Sequence, residues 1–171
     1  MKKKLLLLSY LCFTLISFSQ NTITFSLEWK EDKKLLFDGY TLSIPQFQNE
    51  NFYFDDVTKS IHFNKKITVS NFADTKSLRI ITANYQTINL NELGDLDQKN
   101  IPNNINATIK NGIARDIYQI FITFSPIIKT NEGFKKVSSI TFSYSNSPVS
   151  TSTESNSNFN TLQNSVLSTG N

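Results

Sequence analysis

The sequence predicts an all-β fold: an antiparallel β-sandwich of Greek-key type, or an open barrel, followed by a disordered tail rich in Ser, Thr and Asn. Apolar and polar residues alternate through many short segments that are separated by turn residues. No segment repeats its apolar residues every 3.6 positions, as an amphipathic helix would. The chain also contains 14 Phe in 171 residues, and aromatic and β-branched residues favour the half-buried surface of a sheet.

Residues 1–19 have the features of a secretory signal peptide. Lys2–Lys4 form a basic start, and the apolar run Leu5–Ile16 is too short to span a bilayer comfortably. Serines occupy the third and the first position before a cleavage site at Gln20. We therefore predict export through the inner membrane, with residues 20–146 as the β-sandwich domain and no transmembrane segment after cleavage.

The net positive charge of the chain comes from this signal peptide. Once it is removed, 14 basic and 14 acidic residues remain. A nucleic-acid-binding protein needs a surplus of Lys and Arg on one face, so the composition argues against this class of partner. The lysine doublets beside turns are interpreted as solvated loop charge; they are 33–34, 65–66 and 135–136.

The single cysteine, Cys12, also lies in the signal peptide. Ser9 and Leu11 do not match the residues that precede the cysteine of a lipoprotein cleavage site, so lipidation is not expected. The chain from Gln20 onward then has no thiol. This excludes disulfides, cysteine-ligated zinc and a cysteine nucleophile within this part of the chain.

The first half of the exported chain predicts short strands joined by polar turns. Residues 22–29 form the clearest strand, in which Ile23, Phe25 and Leu27 share the apolar face. A tight turn or bulge at Asp38–Gly39 interrupts the next strand. The further predicted strands of this half are 35–44, which Pro45 ends, 52–54 and 60–64 around a polar turn at 55–59, and 67–72.

The second half begins with a long strand and a loop. Leu78–Leu90 has apolar residues on both faces, which predicts a central strand between two layers. Residues 91–104 predict a loop with at most one helical turn, around 92–97. At the far end, residues 147–171 are dominated by Ser, Thr and Asn and bury too little to offset their ordering entropy, which predicts a linker.

The strongest strand pattern lies between that loop and the linker. Ala114–Phe124 alternates clearly, and Pro126 interrupts the pairing that follows. Val137–Tyr144 returns after a turn at Asn131–Gly133. Two such segments across a glycine-containing turn predict an antiparallel hairpin.

No residue pattern indicates a catalytic, cofactor-binding or metal-ligating site, and we predict none of the three. The only histidine, His62, lies in a short strand without a recognisable nucleophile or orienting partner, so a structural role is favoured. Asp55–Asp56 and Asp95–Asp97 are the only candidates for calcium ligands, and neither has the spacing of a twelve-residue calcium loop. Turn formation is the favoured interpretation of both.

Two other groups of residues have a functional interpretation beside a structural one. Arg115 and Asp116 open the strand predicted from Ala114, where a structural salt bridge of Arg115 is favoured over recognition of a ligand. Four aromatic residues on or near strands line a sugar-binding face or belong to the core, and the core is favoured; they are Trp29, Tyr40, Phe47 and Tyr53.

Three segments resemble the N-terminal region of the gingipain-like sortases of the Bacteroidota type IX secretion system, the PorU family. Residues 40–45 with Phe47 are similar to a family strand that ends in a proline and an aromatic residue. Residues 115–144 resemble a strand, proline, glycine turn and return strand. Residues 165–171 resemble the segment before the family's next domain. The match covers most of the exported chain.

The resemblance implies a role within a larger protein. The family's full-length members are caspase-like cysteine peptidases that remove C-terminal sorting signals from secreted proteins at the outer membrane. No position here matches their catalytic Cys and His, so the resemblance implies a non-catalytic domain that serves packing or docking. Its implied partners are the catalytic domain of the same polypeptide and an outer-membrane protein of the secretion machinery, in the periplasm or at the cell surface.

Two alternatives from other functional classes remain open at this point. A free-standing exported binding module for glycan or protein would use surface aromatic residues. An independent enzyme is the least favoured, because one histidine and no thiol leave only carboxylate-based chemistry.

Overall fold

Ten β-strands form two sheets and a small hairpin in the computed structural model, which describes residues 20–31 and 33–147. The predicted signal peptide and all of the predicted linker except Ser147 lie outside these residues. The strands are β1 Gln20–Ser26, β2 Lys34–Phe37, β3 Tyr40–Ser43, β4 Phe52–Asp55, β5 Ser60–Thr68, β6 Arg79–Ile88, β7 Ala107–Ala114, β8 Ile117–Phe124, β9 Ile127–Thr130 and β10 Gly133–Ser145. Short 3-10 turns cover Asn49–Asn51, Leu90–Glu92 and Gln98–Asn100.

The first sheet is organised around β10, its longest strand at 13 residues. One edge of β10 pairs with β1 and then with β9, and the other edge pairs with β6. The second sheet has the order β4-β5-β8-β7, and every pairing in both sheets is antiparallel. β2 and β3 form a separate two-stranded hairpin.

The two sheets pack face to face through phenylalanine rings. Phe63 of the second sheet lies 4.9 Å from Phe25 of the first and 4.8 Å from Phe124, measured between ring centroids. Phe124 in turn lies 5.6 Å from Phe142 on β10. Ring pairs at these spacings are the usual content of a sandwich core. The predicted all-β antiparallel sandwich is confirmed.

Alternation in the sequence predicted several elements correctly. β1 exposes every second residue, and Leu27 continues the buried face beyond the strand. The predicted interruption at Asp38–Gly39 is the two-residue turn of the β2–β3 hairpin, with φ values of 45° and 82°. Positive φ at both turn residues is what a tight hairpin with right-handed strand twist requires.

The prediction that Leu78–Leu90 forms a central strand is wrong. β6 pairs with β10 alone among the described strands, so it is an edge strand. All of its residues except Ala83 and Ile88 are exposed. Apolar residues on both faces of a strand normally indicate burial on both sides, whereas here Ile80, Ile81 and Tyr85 remain 40–53% exposed.

The strand predicted from Ala114 begins later than expected. Arg115 and Asp116 form the two-residue turn of the β7–β8 hairpin, with φ values of 49° and 64°. Sequence reasoning missed β7 because Lys110, Asn111 and Gly112 obscure its alternation. Asn111 is held by the loop beneath it: its side chain accepts from the Ala73 amide and donates to the Ala73 carbonyl.

The predicted pairing of 114–124 with 137–144 is also wrong, because these segments lie in different sheets. At Ser125–Pro126 the chain crosses from the second sheet to the first, so that within residues 114–130 only β9 pairs with the return strand β10. Pro126 cannot donate to a ladder, which suits a residue at such a crossing. The predicted strand at 67–72 does not form separately, since its first two residues complete β5.

The long connection between β6 and β7 is anchored in the core. Leu93, Leu96 and Ile101 are buried although they lie in no strand. Backbone contacts fix the segment to β3: the Asp95 amide donates to the Ser43 carbonyl at 2.9 Å, and Asp95 Oδ2 accepts from the Ser43 amide at 2.7 Å. The helical turn predicted around 92–97 does not form there: residues 93–96 are bends and turns, and 3-10 turns flank them at Leu90–Glu92 and Gln98–Asn100.

Candidate functional site

His62 lies half-buried on β5 in a short chain of hydroxyl groups. Its Nε2 is 3.0 Å from Ser60 Oγ, and that oxygen is 2.7 Å from Thr58 Oγ1. Asp55, at the start of the same turn, accepts from the backbone amides of Val57 and Thr58 through Oδ1. The carboxylate therefore organises the β4–β5 turn and does not orient the imidazole ring, as a catalytic partner would.

The electrostatics of this group follow from burial and hydrogen bonding. Burial lowers the pKa of His62 below its ordinary value, and the charge of Asp55 opposes that shift. Hydrogen bonds from Thr58 lower the pKa of Asp55. The imidazole is therefore neutral at pH 7 in the folded protein, in accord with the structural role predicted for it.

A pH dependence of stability follows from the lowered pKa of His62. The unfolded chain takes up the proton first, near pH 6.5, so this contribution is fully present above that pH and is lost as the pH falls through the lower folded-state pKa. We expect His62→Gln to flatten the decline of unfolding free energy as the pH falls below about 6.5. Urea unfolding at several pH values measures the unfolding free energy of the wild type and of His62→Gln. Identical pH profiles for the two proteins would contradict the prediction.

The acidic residues considered as calcium ligands instead stabilise loops through hydrogen bonds and an ion pair. Asp97 Oδ1 accepts from the Lys99 amide, Asp95 contacts β3 as described above, and Asp56 pairs with Lys59. No three His, Cys, Asp or Glu side chains in the described ranges 20–31 and 33–147 lie close enough to hold a metal ion. Turn chemistry accounts for these carboxylates.

A cleft of about 320 Å³ lies beside Trp29, between the end of β1 and the start of β10. Trp29, Pro45 and Ile88 supply its apolar lining. Lys33 and Glu92 form an ion pair at 3.3 Å on its rim, and Lys136 Nζ lies 5.4 Å from the Trp29 ring centroid. Three of the charged residues that line it, Lys33, Glu92 and Lys136, are thus engaged with one another or with the indole ring, which favours a structural contact over a ligand site.

The indole nitrogen of Trp29 donates to the Val137 carbonyl at 2.7 Å and ties β1 to β10 beyond their ladder. We expect Trp29→Phe to lower the unfolding free energy by about 1–2 kcal/mol, because the Val137 carbonyl loses its partner. Circular dichroism is the appropriate probe, since this is the only tryptophan. Lys136→Met keeps the hydrogen bond and is the control, with an expected loss below about 1 kcal/mol.

The four aromatic residues considered for sugar binding do not form one surface. Phe47 is fully buried and Trp29 is half-buried, as the core interpretation predicted, while Tyr40 and Tyr53 are about half exposed. Tyr40 lies near Phe37, which contacts the buried Phe54. Tyr53 precedes Phe54 on β4 and so points to the opposite face of that strand.

The β7–β8 hairpin tip is an exposed apolar feature that sequence reasoning missed. Ile113, Ile117 and Tyr118 are 58%, 47% and 40% exposed around the Arg115–Asp116 turn. The ring of Tyr118 packs edge-on against that of Phe72, with 4.8 Å between the ring centroids, and this contact supports the tip. The predicted salt bridge of Arg115 is absent among the described residues.

Within the residues that the structure covers, no helical segment is long and apolar enough to cross a bilayer.

Comparisons with known proteins find similarity at the level of solved structures only. No family model and no curated protein matches the chain. The chain is similar to a structure described as a complex of the Porphyromonas gingivalis RgpB pro- and mature domains, with a TM-score of 0.48 and 13% identity over 86% of this chain and 91% of that one. It is also similar to a structure on the zymogenic latency of gingipain K from the same organism, with a TM-score of 0.49 and 16% identity over 78% of this chain and 90% of that one.

Proposed function

We propose that this chain is the non-catalytic N-terminal β domain of a gingipain-like cysteine peptidase of the PorU type, the sortase of type IX secretion. In this proposal the domain packs on the catalytic domain of the same polypeptide and docks the enzyme to an outer-membrane protein of the secretion machinery. The parent peptidase processes the C-terminal sorting signals of secreted proteins, and this part of it performs no chemistry.

The observation that carries the proposal is the exposed apolar tip of the β7–β8 hairpin. Ile113 and Tyr118 lie opposite each other across the hairpin, and Ile117 extends from its other face. Exposed large apolar side chains of this kind, each at least 40% exposed, are what a region that contacts another protein presents. Except for Ile113, the tip lies within the segment 115–144 whose pattern resembles the sortase family. Arg115 adds a planar cation at the turn, where it is available to a carboxylate of the partner.

The proposal has consequences for location. The signal peptide predicted at 1–19 directs export, and cleavage at Gln20 releases a near-neutral chain. Mass spectrometry of the protein recovered from an expressing bacterium tests this step. A mature form that begins at Gln20 is expected, and an uncleaved Met1 form in the cytoplasm would contradict it.

The reading frame downstream of Asn171 gives the most direct test. The proposal expects a cysteine-peptidase domain there, and a frame without one would overturn it. The contact itself is tested by titrating that peptidase domain with the chain 20–171. Ile113→Asp is expected to weaken binding about tenfold, because a carboxylate replaces an apolar contact. Val57→Asp, at a residue 93% exposed in the β4–β5 turn, is the matched control.

A second candidate is a free-standing binding module for glycan or protein. One observation favours it: Tyr53 is half exposed and its ring lies 6.1 Å from that of His62, on the outer face of the second sheet. A glycan array with the chain 20–171 distinguishes the two candidates. Specific binding that Tyr53→Ala abolishes supports the module, and absence of binding counts against it.

A further inference from the structure

The last described residues of the chain lie beside the β7–β8 hairpin tip. The Ser147 amide donates to the Phe72 carbonyl at 2.7 Å, and Ala73 forms an isolated bridge with Asn146. The ring of Phe72 in turn packs against Tyr118 of the tip. A single residue therefore separates Ser147 from the tip, and the chain that follows Ser147 departs at this end of the second sheet.

The apolar tip is only partly covered within the described residues. Ile113 and Tyr118 lie opposite each other, so they share the face on which Phe72 packs. They nevertheless remain 58% and 40% exposed. Arg115, at the turn beside them, takes part in no ion pair among the described residues. The face next to the chain exit therefore has room for further apolar side chains and a carboxylate.

The predicted linker that begins at this exit contains matching side chains. Four large apolar residues fall within nine positions; they are Phe159, Leu162, Val166 and Leu167. Glu154 is the only charged residue from 148 to 171. A segment of this composition buries too little by itself to offset its ordering entropy. An exposed apolar face at its point of departure supplies the contact surface that it lacks.

The length of the chain allows this contact. Twelve residues lead from Ser147 to Phe159, and a flexible chain of that length has a root-mean-square span of about 20 Å. Fully extended it reaches about 40 Å. The apolar residues therefore stay close to the tip, at an effective concentration on the order of 1 mM.

We propose that residues 159–167 cover the β7–β8 hairpin tip of their own chain. Their apolar side chains contact Ile113 and Tyr118. Glu154 approaches the guanidinium of Arg115, which suits a carboxylate. The inference rests on the proposed function only in taking the tip as a contact surface, and it names a competitor for that surface.

The contact is weak and reversible. Four partly buried side chains give an intrinsic dissociation constant on the order of 1 mM. Because the effective concentration is about the same, the tip is covered in roughly half of the molecules. Another partner then binds about twofold more weakly, since only uncovered tips accept it. The segment therefore tunes access to the tip without blocking it.

Paramagnetic NMR on the chain 20–171 tests the contact. This chain contains no cysteine, so Ser168→Cys provides a single attachment point for a nitroxide, which broadens the signals of nearby methyl groups. We expect strong broadening of the Ile113 methyl. The methyl groups of Val57 lie in the β4–β5 turn, about 25 Å away at the other end of the second sheet, and they are expected to broaden much less.

A variant with the same linker length separates contact from mere reach. Phe159→Ser combined with Leu162→Ser removes two apolar side chains and leaves the position of the nitroxide unchanged. A tenfold weaker contact lowers the covered fraction from about a half to about a tenth, so the broadening of Ile113 is expected to fall about fivefold. Asn160→Ser combined with Asn164→Ser is the matched control and is expected to change nothing.

Two results would overturn the proposal. Equal broadening of Ile113 with and without Phe159 and Leu162 would show that the linker only passes near the tip. Broadening in a mixture of nitroxide-labelled chains with methyl-labelled chains would assign the tip to a second copy instead. The sample contains no peptidase domain, so neither result bears on the proposed function. Conversely, a reading frame without a peptidase domain would leave these measurements unaffected.

Discussion

Gly94→Ala is expected to lower the unfolding free energy by about 3 kcal/mol or more. A Cβ atom at this position would stand 1.7 Å from the Ser43 carbonyl oxygen and 2.8 Å from its carbon. Both are backbone atoms, so no side-chain rotation relieves the clash. The residue also has φ of +58°, a conformation that costs an L-residue about 1–2 kcal/mol.

The loss is larger because Gly94 lies where the loop between β6 and β7 contacts β3. Moving the loop away from β3 breaks the two Asp95–Ser43 hydrogen bonds and withdraws Leu93 and Leu96 from the core. Chemical unfolding followed by the fluorescence of Trp29 measures the loss. Gly39→Ala is the matched control: φ is +82° but nothing lies within 4 Å of the added carbon, so about 1 kcal/mol is expected. Equal losses for the two variants would contradict the steric explanation.

Phe63→Ala is expected to cost about 3–5 kcal/mol, the usual range for a buried phenylalanine. The side chain is 1% exposed and contacts the rings of Phe25, Phe47 and Phe124. Because these rings come from both sheets and from the segment after β3, the resulting cavity lies where three parts of the chain meet. The rigid strands on either side cannot collapse into it.

Tyr53→Ala is the control for this prediction, since Tyr53 lies on the adjacent strand with its side chain 53% exposed. A loss below about 1 kcal/mol is expected there. Thermal unfolding by circular dichroism compares the two variants directly. A loss for Phe63→Ala no larger than that for Tyr53→Ala would show that the two sheets are held together elsewhere.

The alternation of apolar and polar residues predicted the strands well, but it predicted poorly which strands pair with each other. The faces of β1, β8 and β10 are readable because most of their inner residues are large and apolar, although Ser143 of β10 is also buried. Which strands pair is decided by contacts distant in sequence, and alternation carries no information about them. Pro126 illustrates the difference: its effect on pairing was predicted, but the crossing between sheets was not.

β6 shows how pattern reading fails for an edge. Apolar residues on both faces predict burial only when something covers both faces, and in this chain nothing described covers the outer side of β6. The sequence also failed to predict the tip of the β7–β8 hairpin, for a related reason. Arg115 and Asp116 look like strand residues beside Ile117, because the positive φ values that make them a turn leave no trace in hydrophobicity.

The central position of β10 has a consequence for how the chain folds. β10 is the last described strand, and it pairs with β1, which begins more than a hundred residues earlier. As the chain is made from its N-terminus, β1, β6 and β9 have no partner in the first sheet until residues 133–145 emerge. Pairing between such distant segments closes long loops, so folding is expected to be slow. A nascent or translocating chain therefore lacks its first sheet until nearly all of the domain has been delivered, although the strands of the second sheet are complete by Phe124.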